Sequence, residues 1–239
     1  MAARYLTIVP IPGAASSNEG PGAAAAWFPV VGLAIGVLLS FVDRLGAAVF
    51  APLLAAALTV TAWALVTGGL HLDGLADCFD GLIGRDADHR LAIMRDSRVG
   101  AFGAIALVLF LALEIGCVSG IDRPARWRAL LAAPVLGRAM PPLIGRVFGA
   151  VAKGHGASFG ADLGAAAPVA AGAFALVVLI AILGVLGAVS CVLGGAVALV
   201  WAAFMARRLG GISGDVHGAT IQLTELAVLL TVAAAYPAR

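Results

Sequence analysis

"APVAAGAFALVVLIAILGVLGAVSCVLGGAVALVWAAFMA", residues 167–206, runs for 40 residues without a charged side chain. At about 1.5 Å per residue a single helix of that length would reach roughly 60 Å, twice the ~30 Å hydrocarbon thickness of a bilayer. The run must therefore fold back, and Gly184 and Gly187 mark the place where a break is easiest. Two antiparallel membrane helices follow from this stretch alone.

The rest of the chain agrees. Of 239 residues, 62% are hydrophobic and 12% charged, with a mean hydropathy of +1.05, which excludes an ordinary soluble domain. Further runs near the roughly 20 apolar residues that a crossing needs lie at 23–42, 47–69, 100–120, 128–149 and 221–236. The expected fold is an all-α, polytopic integral membrane bundle of about seven transmembrane helices, one catalytic domain over 1–239. The last run is short and reads as tilted, re-entrant or interfacial. Abundant Ala and Gly suit close helix approach in lipid. Cys78, Cys117 and Cys191 form no CxxC pair and are odd in number, which argues against a disulfide framework or a thiolate metal site. A net charge of +2 gives no pointer to nucleic acid, and none is expected as a partner. The amino terminus lacks a continuous apolar core before its prolines, so no cleaved signal peptide is expected. Partners are the lipid bilayer and small-molecule substrates, with homo-oligomerisation left open.

Seven crossings would place the amino terminus, 70–99, 150–166 and 207–220 on one side, with eight Lys or Arg, against five on the other (Arg44, Arg123, Arg126, Arg128 and Arg239). The positive-inside rule makes the first side cytoplasmic.

On that side "GGLHLDGLADCFDG", residues 68–81, gathers His71, Asp73, Asp77 and Asp80. In a helix the three aspartates stand at i, i+4 and i+7, one stripe of like charge that repels itself unless a cation neutralises it. Oxygen-only donors suit Mg²⁺, which uses one or two carboxylates and completes its shell with water and substrate phosphate. "RLAIMRDSRVGAFG", 90–103, puts Arg95 and Arg98 at i and i+3 on one helical face, suited to gripping phosphate. Alone, that pair reads as positive-inside arginines. Beside the acidic stripe it completes what transfer at phosphorus requires. "RRLGGISGDVHGATIQLTE", 207–225, is a Gly-rich loop with Asp215 and His217 that emerges on the same side. Within the spans, Glu114, Arg138, Arg146 and Glu225 are costly in lipid, and an ion pair such as Glu114 with Arg138 would neutralise them. His89 and His155 read as ordinary loop histidines.

The segments 67–81, 90–103 and 207–219, followed by Glu225, resemble the adenosylcobinamide-GDP ribazoletransferase family, also called cobalamin synthase. The resemblance spans nearly the whole chain. It implies a Mg²⁺-dependent enzyme of the bacterial inner membrane, its site facing the cytoplasm. Such an enzyme joins adenosylcobinamide-GDP to α-ribazole, or its 5′-phosphate, and releases GMP. By similarity His71, Asp73, Asp77, Asp80, Arg95, Asp96, Arg98 and Asp215 fall on family motif positions. The residue reading gives Asp73, Asp77 and Asp80 to the metal, Arg95 and Arg98 to the phosphates, and His71 or Asp215 to proton removal. Two departures stand out: Thr7-Ile8 where the family pattern has Thr-Arg, and Lys153-Gly154-His155-Gly156 where it has a Glu-Gly-x-Gly-like loop.

Three other readings compete. A CDP-alcohol phosphotransferase would need an aspartate spacing that this chain lacks. A rhomboid-like protease would use Ser213 of "GISG". A transporter would line a path with the intramembrane charges.

Overall fold

The computed structural model describes residues 2–10, 21–151, 159–160 and 162–238. The principal α-helices are, in chain order, α1 Ala2–Leu6, α2 Phe28–Val49, α3 Pro52–Val66, α4 Leu70–Gly81, α5 Ala87–Met94, α6 Ala101–Gly120, α7 Arg123–Phe148, α8 Ala167–Leu183, α9 Val185–Leu209 and α10 Gly214–Ala235. A 3₁₀ helix, Pro21–Trp27, leads into α2, and no strand occurs among the described residues. The fold is the expected all-α membrane bundle. The 167–206 run breaks where its glycines stand: Gly184 takes φ +61° between α8 and α9. Gly187 then lies so close to the Leu179 carbonyl that a Cβ would not fit.

Among the described residues four helices are long and apolar enough to cross: Gly22–Val49, Ala101–Gly120, Val185–Leu209 and Gly214–Ala235, or five if α3 and α4 count as one broken span. Length and composition alone do not confirm a count of seven. With 15 residues α3 reaches about 22 Å, and with 17 α8 reaches about 25 Å, both short of the ~30 Å core. Helix α7 has the length, but its 26 residues include five arginines. The last span proves to be a full 22-residue helix. An 89° bend at Thr67–Gly69 turns α4 away from the direction of α3. Gly68 and Gly69 absorb the turn with φ of +63° and +69°.

Helix α7 is the most buried, with α2, α8, α9 and α10 packed around it. Gly32 and Gly36 of α2, one turn apart, meet the α7 backbone at Pro134 and Leu130, a small-residue contact typical of membrane helices. Among the described residues two buried ion pairs cross the bundle. Arg126 on α7 donates to Asp43 on α2 at 3.0 Å, and to the carbonyls of Ser119 and Ile121 at 3.3 and 3.2 Å. Arg138 on α7 donates to Glu225 on α10. Glu225, rather than the expected Glu114, is therefore the partner of Arg138, although Glu114 is also buried. Arg146 lies exposed near the end of α7.

Backbone bridges define the two ends. Val151 N–H donates to the Ile212 carbonyl at 3.1 Å, tying the α7 exit to the α10 entry, and Ile8 N–H to the Val66 carbonyl at 3.0 Å, tying the amino terminus to the end of α3. At the other end Asp122 N–H donates to the Tyr236 carbonyl at 2.9 Å. The segments expected on one side do share one end. Residues 153–156 lie outside the described residues.

Candidate active site

Helices α4 and α10 cross glycine to glycine. A Cβ on Gly74 would lie 2.8 Å from the Asp215 carbonyl oxygen, and one on Gly218 would lie 3.3 Å from His71 Cα. At Gly74 only hydrogen lets the two backbones touch, whereas a Cβ at Gly218 would be a tight contact that a small shift relieves. This contact brings together motif residues some 140 positions apart. Ser213 caps α10, its hydroxyl accepting from Val216 N–H at 3.3 Å and donating to Asp215 Oδ2 at 3.3 Å. Asp215 thus sits in the first turn, where the helix dipole favours negative charge. With its hydroxyl committed to the cap, Ser213 offers no support for a protease reading.

A cavity of about 320 Å³ opens at this crossing, and His71, Asp73, Asp215 and His217 are its polar lining. Tyr5 and Leu6 of α1, Phe28, Pro141 and Phe159 form much of its apolar wall. His71 is 3% exposed, and no protein group engages its Nδ1; the same is true of His217 Nδ1. The Phe159 and His217 rings meet edge-on, centroids 4.9 Å apart at 60°. Burial, then the nearby Arg138 charge, lowers His71 to about 3, so its imidazole is neutral at neutral pH.

The three aspartates fall on α4 as their spacing predicts, in three different settings. Asp73 is exposed, Asp77 half-buried and Asp80 buried. Burial raises Asp77 to about 7, with further contributions from Asp73, Asp215 and Asp80. Four carboxylates therefore crowd one region, including the one from α10. Asp80 also braces the next helix. Its oxygens accept from Gly100 N–H at 2.7 Å and Gly103 N–H at 2.8 Å, capping the start of α6. A Cβ on Gly100 would lie 2.5 Å from that carboxylate, so glycine there is what admits it.

Arg95 and Arg98 are not on one helical face, because α5 ends at Met94 and α6 begins at Ala101. Neither lines the cavity. Arg98, with its side chain 87% exposed, grips Asp96 through Nη2 at 2.6 Å and Nε at 3.0 Å. Those hydrogen bonds hold Asp96 down at about 2. The sequence by itself gives no role to His217, Phe28 or Phe159; His217 lies within a quoted motif, whereas nothing local marks the two phenylalanines. The intramembrane charges do not support a transport path: Arg138 and Arg126 are paired in place with Glu225 and Asp43.

The family model described as Cobalamin-5-phosphate synthase matches residues 1–233. The chain is 35% identical over 231 residues to the adenosylcobinamide-GDP ribazoletransferase of Brevibacillus brevis, covering 95% of this chain and 93% of that protein. It is 38% identical over 240 residues to the protein of that name from Geotalea daltonii, covering 98% and 96%. With the one from Pseudomonas fluorescens it shares 37% over 250 residues, covering 98% and 97%. No solved structure matches the chain. A match that runs from the first residue almost to the last, through all the segments that build the cavity, makes this chain a member of the cobalamin-5-phosphate synthase family.

Proposed function

We propose that this chain is an adenosylcobinamide-GDP ribazoletransferase, transferring phosphocobinamide from adenosylcobinamide-GDP to α-ribazole or α-ribazole 5′-phosphate, with release of GMP. Family membership carries the reaction. The observation that carries the site is the meeting of α4 and α10, which puts His71, Asp73 and Asp215 on one cavity wall.

Among the described residues no three His, Cys, Asp or Glu side chains form a ready-made metal cage. Mg²⁺ does not require one, since one or two carboxylates with water and substrate phosphate suffice. The donors around Asp77 are all oxygen and carry excess negative charge, so they fit that ion. Asp73 and Asp77 would hold it, with Asp215 beside them. Asp80, expected as a third ligand, fixes the stripe against α6 through Gly100 and Gly103. When bound, Mg²⁺ supplies neutralisation and polarisation of the pyrophosphate oxygens.

The chain's own groups do the rest. A ribose hydroxyl attacks the phosphorus that bears cobinamide; the new P–O bond forms as the bridging P–O bond to GMP breaks. The hydroxyl proton passes to the Asp215 carboxylate or to His71, both residues of the cavity lining. Arg98 exchanges Asp96 for the nucleotide phosphate, with Arg95 beside it. Orientation follows the charge count of eight basic residues against five, one of which, Arg126, is buried against Asp43. The site then faces the cytoplasm across a bacterial inner membrane. Purified protein given adenosylcobinamide-GDP and α-ribazole should release GMP only with Mg²⁺. Absence of GMP in both conditions refutes the activity, and equal release in both refutes the metal.

A further inference from the structure

Resting on that reading, the geometry points to the ring-lined cavity as the acceptor pocket, holding the benzimidazole of α-ribazole and excluding both the corrin and the guanine of the other substrate. Two features argue for this. The first is size: at about 320 Å³ the cavity lies at the lower end of the roughly 300–1,000 Å³ of sites that enclose a drug-sized ligand. A corrin macrocycle with its side chains is much larger, whereas a nucleoside of a bicyclic base is not. The second is chemistry. Guanine presents a full edge of donors and acceptors, and burying such an edge against Phe28, Phe159, Leu6 and Ile221 would leave polar atoms unpaired. The dimethylbenzimidazole of ribazole has no donor, two methyl groups and a single free ring nitrogen, so an aromatic, aliphatic wall receives it at far smaller polar cost than guanine.

His71, Asp73 and Asp215 then fall where the ribose must be, whereas His217 stands among the rings, edge-on to Phe159. His71 and Asp215 come from the first turns of α4 and α10, while the rings come from α1, α2 and residue 159. A base seated among the rings projects its ribose towards the helix starts, beside Asp73 and the acidic stripe. Phe159 is held from two sides, by Phe28 with centroids 6.0 Å apart and by His217. It is therefore a wall with a defined position.

The test is a two-substrate kinetic comparison of wild type, Phe159→Leu and Phe159→Ala in lipid nanodiscs, with α-ribazole binding measured by calorimetry in parallel. Phe159→Ala should raise KM and Kd for α-ribazole roughly tenfold or more, with Phe159→Leu intermediate and KM for adenosylcobinamide-GDP little changed. A rise confined to adenosylcobinamide-GDP, or weaker inhibition by GMP, makes this a guanine pocket and overturns the inference. Unchanged constants for both substrates also overturn it. Wild type that binds α-ribazole, weakened by Phe159→Ala, yet releases no GMP would refute the proposed reaction while upholding the pocket.

Discussion

Gly74→Ala places a methyl group at the crossing on which the site depends. Its Cβ would lie 2.8 Å from the Asp215 carbonyl oxygen and 3.0 Å from Asp215 Cα, against about 3.4 Å for ordinary contact. Both obstructing atoms are backbone, so no side-chain rotation relieves them, and α4 and α10 must part by about 0.6 Å. A reacting constellation tolerates displacement of about 0.5 Å, and 1 Å can cost about a hundredfold in rate. Turnover should therefore fall about 10- to 100-fold, with a stability loss of about 1–3 kcal/mol for overpacking. Gly218→Ala is the internal control. Its Cβ would lie 3.3 Å from His71 Cα, almost at ordinary contact, so its loss should be several-fold smaller. GMP release from nanodisc-embedded protein, read beside thermal unfolding in detergent, provides both quantities. Wild-type turnover in Gly74→Ala, or a larger loss in Gly218→Ala, would refute the idea that this contact sets the site's geometry.

Asp77→Asn should abolish Mg²⁺-dependent turnover and leave the unfolding temperature no lower than wild type, because it removes a crowded charge; full activity would take Asp77 out of the mechanism. Asp80→Ala should instead destabilise the fold by about 1–3 kcal/mol, since the buried Gly103 N–H and the part-buried Gly100 N–H at the start of α6 lose their acceptor, and a melting temperature equal to wild type would contradict that assignment. Asp77, raised to about 7, also gives a pH signature. Between its ordinary value near 4 and about 7 the folded, metal-free protein binds the extra proton, so its stability declines as pH rises through that window. Apparent Mg²⁺ affinity runs the other way, weakening about tenfold per unit below pH 7; titrations at pH 5.5, 6.5 and 7.5 would expose a flat profile. Arg126→Met alone should cost about 3–5 kcal/mol by stranding buried Asp43, and pairing it with Asp43→Leu should recover much of that, as unfolding of the single and double variants would reveal.

Local pattern was enough for the membrane class, the fold-back at Gly184, the acidic stripe on α4 and the three segments that carry the family resemblance. Hydrophobic run length and side-chain periodicity belong to neighbouring residues, so they can be read without knowing how helices pack. Packing alone decided the rest. Asp80 looks like its neighbours Asp73 and Asp77 along the helix, yet α6 supplies it with two N–H donors from 20 and 23 residues away. Arg138 had two candidate carboxylates, and the approach of α10 to α7 selected Glu225. Arg126 reads as an exposed flank until α2 delivers Asp43. Span number depended on where α3 bends and on arginines that only partners on other helices make tolerable. The cavity has no sequence signature because its rings come from α1, α2 and residue 159, and its polar groups from α4 and α10. Such a site exists only where distant backbones meet, and the absence of a side chain at Gly74 and Gly218 lets them do so.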